Sequence, residues 1–145
     1  MKVRELMSER VVTLLMTSTL DLATDIMNMA RIRHLPVVDE SGRLVGMVSQ
    51  RDLYRAGISS VLSLTGETQR DWLIKVPVHH VMTRDVVTIG PDASVLEATQ
   101  RLLDGKFGCL PVVDGGKLVG LLSETDCLRC FRDMLTAGQF RDLLC

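Results

Sequence analysis

Leu44-Val45-Gly46-Met47-Val48-Ser49-Gln50-Arg51-Asp52 is a stretch that the chain contains twice, since Leu118-Val119-Gly120-Leu121-Leu122-Ser123-Glu124-Thr125-Asp126 repeats its pattern. Each copy is an apolar run of strand length followed by Ser-x-x-Asp, which is typical of a helix start capped by the serine. A strand that leads into a helix directs free backbone N–H groups to one place, and such a place favours an anion. A single Ser-x-x-Asp is usually only a cap, but two copies at equivalent places indicate a shared function.

The repeat extends beyond these two stretches. Val3 to Arg55 aligns with Val78 to Arg129, and both copies contain the sequence Leu-Pro-Val-Val-Asp, at 35–39 and 110–114. Each copy predicts a strand, a helix, two strands joined by a turn, and a final helix. We therefore predict an α+β fold with two β-α-β-β-α repeats packed as an intramolecular pair. The predicted boundaries are 1–56 and 78–130, with a linker at 57–77 and a helical tail at 131–145.

Local patterns predict where the elements lie. The first strand of each copy is predicted at 11–14 and at 86–88, and the helix that follows in the first copy at 19–32. Ser94 and Glu97 predict a capping box for the corresponding helix of the second copy. A short helix that carries Trp72 is predicted at 69–74, and the apolar residues Phe140 and Leu143 extend an amphipathic pattern into the tail.

Composition excludes several classes of function. The chain has 145 residues, of which 46% are hydrophobic and 24% charged, and its net charge is −1, so a broad nucleic-acid or membrane-surface interaction is not expected. Every apolar run is far shorter than the ~18 residues of a membrane span. The first residues have no apolar signal-peptide core, and we expect a cytoplasmic protein.

The cysteines and histidines do not form a recognisable metal or redox motif. Cys127-Leu-Arg-Cys130 matches C-x-x-C, but it lies inside a predicted helix, and the sequence has no second pair to complete a zinc site. We expect structural thiols, no metal, no cofactor and no catalytic residue. No nucleophile with a neighbouring base and no phosphate-binding Gly-Lys-Ser/Thr loop is present, so we expect that the chain is not an enzyme.

The whole pattern resembles a tandem pair of CBS domains (cystathionine β-synthase domains), often called a Bateman module. Val-x-Thr near the start of each copy, the two Leu-Pro-Val-Val-Asp segments and the two Gly-h-h-Ser-x-x-Asp segments (h is hydrophobic) carry the resemblance, which covers residues 1–130. It implies two related clefts at the interface of the repeats. It also implies regulatory ligands that contain adenosine, such as AMP, ADP, ATP or S-adenosylmethionine.

The resemblance also implies roles for individual residues. Asp52 and Asp126 would accept hydrogen bonds from both ribose hydroxyls, and Ser49 and Ser123 would direct hydroxyls towards a phosphate. The remaining implied ligand-binding residues are Thr13, Arg33, His34, Leu35, Pro36 and Arg51 in the first copy, and Thr88, Gly108, Cys109, Leu110 and Pro111 in the second. His34 is equally consistent with a phosphate contact and with a surface corner. The sequence leaves open which threonine accompanies which aspartate.

Two functions remain open at this point. The first is a stand-alone regulatory module that senses an adenine nucleotide and transmits a change to an effector protein, and the alternative is a dimerisation or docking module without a ligand. Apolar positions on the last helices, Leu53, Leu128, Phe131 and Leu135, predict a homodimer.

The two Ser-x-x-Asp segments differ in charge. Gln50 and Arg51 lie between Ser and Asp in the first copy, whereas Glu124 and Thr125 occupy these positions in the second. A phosphate at the second segment would approach Glu124 without a nearby cation, and we therefore predict that the more phosphorylated nucleotide prefers the first.

Overall fold

The computed structural model describes the backbone of residues 1–62 and 69–139, and the side chains of residues 1–57 and 71–139. The chain forms two compact units. The first unit contains Val12–Val86 together with Gly116–Leu118, and the second contains Met1–Val11, Val87–Gly115 and the chain from Val119 onward. The mixed α/β class and the two repeats that the sequence predicts are confirmed.

The first unit is built on a three-stranded sheet. Strands β1 (Leu14–Leu15), β2 (His34–Val38) and β3 (Leu44–Ser49) lie in that order, with β1 parallel to β2 and β2 antiparallel to β3. The helices are α1 (Leu20–Ala30), α2 (Gln50–Leu62) and α3 (Gln69–Lys75), and a 3-10 helix follows at Val78–His80. Helices α1 and α3 cover a core in which Leu20, Leu35 and Val48 are fully buried. Trp72, on the short helix predicted near 69–74, packs against this core.

The second unit repeats this plan with a shorter sheet. Strands β4 (Cys109–Asp114) and β5 (Lys117–Ser123) form a β-hairpin whose turn is made by Gly115 and Gly116, which both have positive φ. Helices α4 (Val95–Gly105) and α5 (Glu124–Thr136) complete the repeat, and a 3-10 helix lies at Val3–Glu5. The core of this unit contains the fully buried side chains of Val3, Leu110 and Leu122.

Each unit includes the leading segment of the other sequence copy. Ser8 forms an antiparallel bridge with Leu121 in the second unit, and Thr83 forms the equivalent bridge with Met47 in the first. Two backbone hydrogen bonds of 2.9–3.0 Å close each bridge. The predicted boundaries at 1–56 and 78–130 therefore describe the repeat in sequence, whereas the units in space exchange the first residues of the copies.

The first strand of each copy is shorter and later than predicted. In the first copy only Leu14 and Leu15 form β1, because Leu14 enters the core whereas Val12 is 45% exposed. In the second copy the same place is taken by one parallel bridge, between Ile89 and Val112. The predicted strands at 11–14 and 86–88 were thus placed too early, since apolar character did not indicate which residue turns inward.

Helix ends also differ from the prediction in detail. Helix α1 ends at Ala30, and Arg31 follows in the left-handed conformation with φ of 53°, so the predicted end at residue 32 is two residues late. Ser94 caps α4 by accepting the Glu97 N–H at 3.0 Å, but the Glu97 carboxylate pairs with Arg101 at 2.8 Å instead of closing the box. Helix α5 ends at Thr136, before the predicted tail is complete, and Phe140 and Leu143 lie outside the described residues.

Candidate functional site

The first Ser-x-x-Asp segment forms a complete capping box at the start of α2. The Ser49 N–H donates to Asp52 Oδ2 at 2.8 Å, and the Asp52 N–H donates to Ser49 Oγ at 3.1 Å. These two bonds hold the carboxylate against the first turn, where the helix dipole favours a negative charge. We call this segment, with the residues that flank it in the first unit, the first site.

The second Ser-x-x-Asp segment forms the same box at the start of α5 and adds an ion pair. Asp126 Oδ2 accepts from the Ser123 N–H at 2.9 Å and from the Ser123 hydroxyl at 2.6 Å, while the Asp126 N–H donates to Ser123 Oγ. Asp126 Oδ1 accepts from Arg129 Nη1 at 3.2 Å. Asp126 is only 9% exposed. We call this segment, with its neighbours in the second unit, the second site.

The strand start in each unit lies beside its helix start. The Gln50 N–H donates to the Arg33 carbonyl at 2.8 Å, and the Glu124 N–H donates to the Gly108 carbonyl at 3.0 Å. His34 pairs directly with Ser49 in the β2–β3 register. The fold therefore brings together the segments that the resemblance grouped, although they are about fifteen residues apart in sequence.

The Leu-Pro pairs of both copies have buried side chains. Leu35, Pro36, Leu110 and Pro111 all have less than 2% of their surface exposed. In this structure their side chains are occupied with packing, and a ligand would meet them only through backbone atoms.

Thr13 and Thr88 lie in the same units as the aspartates of their own copies. Thr13 immediately precedes β1 of the first unit, and Thr88 immediately precedes the Ile89 bridge of the second. Thr13 is exposed, whereas Thr88 is half-buried and its carbonyl accepts from Arg101 Nη1 at 2.6 Å. The units therefore group Thr13 with Asp52, and Thr88 with Asp126.

The second site has a negative local potential. Burial, together with the carboxylates of Glu124 and Asp126, raises the pKa of Cys109 to about 12. At the first site Arg51 and Arg33 are exposed cations, and His34, also in this site, is half-buried and forms contacts of its own. The structure thus retains the charge difference that the sequence shows.

A cavity of about 470 Å³ opens beside Asp126 within the second unit. Its walls include Met1, Glu5 and Leu6 from the N-terminal segment, and Asp126, Arg129 and Asp133 from α5. Its volume lies within the range of small-molecule sites. Arg129 was not among the predicted site residues, and its guanidinium, paired with Asp126, is a cation that the comparison of the two Ser-x-x-Asp segments did not include. The spacing i, i+3 between Asp126 and Arg129 on one helix face could have indicated the pair.

The cysteines could in principle serve as redox or metal-binding residues, and their surroundings among the described residues favour neither role. Cys109, Cys127 and Cys130 are free thiols, and burial together with the Asp126 carboxylate raises the pKa of Cys127, which disfavours a thiolate. Among the described residues no group of three His, Cys, Asp or Glu side chains could hold a metal ion. Across the same part of the chain, every helix is too short or too polar to cross a bilayer.

Sequence comparison identifies relatives of this arrangement. The family model for the CBS domain matches residues 3–59 and 78–133. A CBS domain-containing protein of Dictyostelium discoideum is 35% identical over 127 residues, which are 87% of this chain and 88% of that protein. A homoserine O-acetyltransferase of Methanococcoides burtonii is 32% identical over 86% of this chain, but the match covers only 23% of that enzyme.

Solved structures share the fold over nearly the full length. A Vibrio cholerae protein assigned to acetoin utilisation (AcuB) is 34% identical with a TM-score of 0.82, and the match covers 96% of each chain. CBSX2, solved in complex with AMP, is 26% identical with a TM-score of 0.78 over 92% of this chain and 97% of that one. The CBS domain pair of MJ0100, solved with 5′-methylthioadenosine and S-adenosylmethionine, is 26% identical with a TM-score of 0.77 over 90% of this chain and 99% of that one.

Proposed function

Because the chain belongs to the CBS domain family and contains two copies of the domain, we propose that it is a regulatory module that binds adenosine-containing ligands at its two sites. Asp52 and Asp126 accept the ribose hydroxyls, and the helix starts at Ser49 and Ser123 face the phosphate or its replacement. The ligand is AMP, ADP, ATP or S-adenosylmethionine, and its binding is transmitted to an effector protein.

The observation that carries this proposal is the duplicated carboxylate, held rigidly in the same geometry at both helix starts. A capping box needs only one carboxylate oxygen, the one that accepts the serine N–H. The second oxygen of each carboxylate is therefore available for exchange with a ligand hydroxyl. The likeness to chains solved with AMP and with S-adenosylmethionine supports adenosine as the common part of the ligand.

Calorimetry with a panel of AMP, ADP, ATP, S-adenosylmethionine and GMP tests the proposal. We expect at least one adenosine compound to bind and GMP to bind far more weakly. A ligand at 100 times its Kd should also stabilise the fold by ~2.7 kcal/mol in a melting experiment. If all five compounds fail to bind, the chain is a docking module without an adenosine ligand.

Matched variants separate ligand binding from helix capping. Asp52→Glu and Asp126→Glu retain the negative charge but move the carboxylate by one methylene group. Glutamate is also common at this position of a capping box, so the helix cap should be kept. Asp52→Ala and Asp126→Ala also remove the cap, at a cost of ~0.5–2 kcal/mol. We expect both types of variant to weaken binding at their own site at least ~tenfold, while only the alanine variants lower the melting temperature clearly.

We also propose that the module forms a homodimer through α4 and α5. These two helices contact each other, and Leu96, Leu103 and Leu128 on them are 68–78% exposed. Phe131 is 47% exposed and Leu135 is half-buried. Leu53 was predicted to belong to the same dimer surface, but it is buried in the first unit and cannot contribute to that surface. Apolar surface of this kind is commonly covered by a symmetric copy.

A further inference from the structure

The two oxygens of the Asp126 carboxylate are engaged differently. Oδ2 accepts two hydrogen bonds from Ser123, at 2.6 and 2.9 Å, so its lone pairs are used by the cap. Oδ1 accepts one longer bond, 3.2 Å, from Arg129. A ribose that reaches Asp126 must therefore compete with Arg129 for Oδ1.

Arg129 is suited to leave this position. Its side chain is 56% exposed whereas that of Asp126 is 12% exposed, so the aspartate is fixed and the arginine can rotate. The pair is joined by one hydrogen bond and not by the bidentate arrangement that makes Arg–carboxylate pairs strong.

Both residues line the 470 Å³ cavity of the second unit, so an arginine that leaves Asp126 remains beside the bound molecule. The other two carboxylates of the lining have hydrogen-bond partners of their own: Glu5 accepts the Lys2 N–H at 2.9 Å, and Asp133 pairs with Arg132 at 2.7 Å. Among the residues that line the cavity, Arg129 is the one with a cationic side chain, so an anionic group that enters would bind there.

We propose that Arg129 is exchanged between Asp126 and the ligand: the ribose replaces it on Oδ1, and the guanidinium then binds the ligand's phosphate. This inference rests on the proposed function and concerns the specificity of the second site. A nucleoside without a phosphate displaces Arg129 from Asp126 and offers the guanidinium no new partner. A nucleoside monophosphate displaces it too, but its phosphate becomes the new partner of Arg129. The second site therefore selects AMP over adenosine, and Arg129 is the residue that makes the distinction.

Calorimetry with AMP and adenosine tests this, carried out on protein with the Asp52→Glu change, which weakens the first site so that the two sites can be distinguished. Arg129→Gln should weaken AMP about ten- to hundredfold, the effect of losing a charge-assisted hydrogen bond. The same variant should leave adenosine unchanged or strengthen it up to about fivefold, because the competitor for Oδ1 is gone. Arg4→Gln is the matched control, since Arg4 lies in the same unit, carries the same charge and pairs with Asp92, and neither of these two residues lines the cavity. It should change neither affinity.

A weaker AMP affinity together with an unchanged or stronger adenosine affinity is the result that supports the exchange. Equal weakening of both compounds would mean that Arg129 only maintains the structure of the site, and it would overturn the inference, as would an unchanged AMP affinity. Arg129→Lys, which retains the charge, should keep part of the preference for AMP and shows that the loss in Arg129→Gln is not a folding defect. If neither AMP nor adenosine binds while ATP or S-adenosylmethionine does, the proposed function stands and this inference fails. If no adenosine compound binds at all, both fail together.

Discussion

Gly46→Ala should destabilise the first unit because the glycine lies under a methionine from the leading segment of the other sequence copy. An ideal Cβ at residue 46 would lie 2.5 Å from Met82 Sδ and 3.0 Å from its Cγ. It would also lie 3.0 Å from the Thr83 carbonyl oxygen, which accepts the Met47 N–H at 2.9 Å. The methionine is buried, so it has little space into which it can move. Overpacking of this kind costs about 1–3 kcal/mol.

The repeat provides a second test and a control. At Gly120 the same clash, 2.5 Å, involves Met7, which is half-buried and can move outward, and the Ser8 carbonyl is slightly farther away, at 3.2 Å. Gly120→Ala should therefore cost less than Gly46→Ala. At the exposed Gly90 no atom of the described residues lies within 4 Å of an added Cβ, and Gly90→Ala should be close to neutral.

Thermal and urea unfolding measure the difference. For a chain of this length each kcal/mol lowers Tm by about 2–4 °C, so Gly46→Ala should melt about 2–12 °C below the parent protein. In a double-mutant cycle, Met82→Ala should remove most of the cost of Gly46→Ala, since it deletes the clashing Sδ and Cγ. The reasoning is refuted if Gly46→Ala and Gly90→Ala are equally stable, or if the cycle shows no coupling between residues 46 and 82.

Further predictions concern the thiol, the charge difference and the dimer. Burial and the carboxylates of Glu124 and Asp126 raise the pKa of Cys109 to about 12, so the folded state holds the thiol proton more tightly than the unfolded state. This group should lower the free energy of unfolding by ~1.4 kcal/mol per pH unit between about pH 9 and 12, and Cys109→Ala should reduce the slope in urea titrations by that amount. Exchanging Arg51 and Thr125 between the two Ser-x-x-Asp segments should move the preference for ATP from the first site to the second. Arg51→Thr should lower the ATP affinity of the first site and Thr125→Arg should raise that of the second, each by about five- to hundredfold in calorimetry. Equal ATP affinity of all variants would contradict the ranking of the sites. Leu128→Glu should convert the homodimer to a monomer, as measured by light scattering, without lowering Tm of the monomeric fold. A parent protein that is monomeric at micromolar concentration would disprove the dimer.

The sequence alone was sufficient for the class of fold and for the two Ser-x-x-Asp helix starts. The apolar runs at 44–48 and 118–122, the serines that follow them and the aspartates three residues later are local features, and capping depends on residues that are neighbours along the chain. Duplication then made the pattern significant, because the same local solution occurs twice. For this reason the two Ser-x-x-Asp capping boxes and the identity of the family were predicted correctly, whereas the box predicted at Ser94 and Glu97 is not closed. The short helix that carries Trp72 was also predicted, although it lies outside the repeat.

The tertiary structure decided what depends on residues far apart in sequence. The predictions could not show that Ser8 pairs with Leu121 and Thr83 with Met47, because strand pairing at such separation leaves no periodic trace in either segment. They placed Leu53 on the surface, although the packing of α2 buries it, since an amphipathic stripe does not indicate which part of it a neighbouring element will cover. They also missed Arg129, whose role depends on a buried carboxylate and a cavity that form only when the N-terminal segment lies against α5.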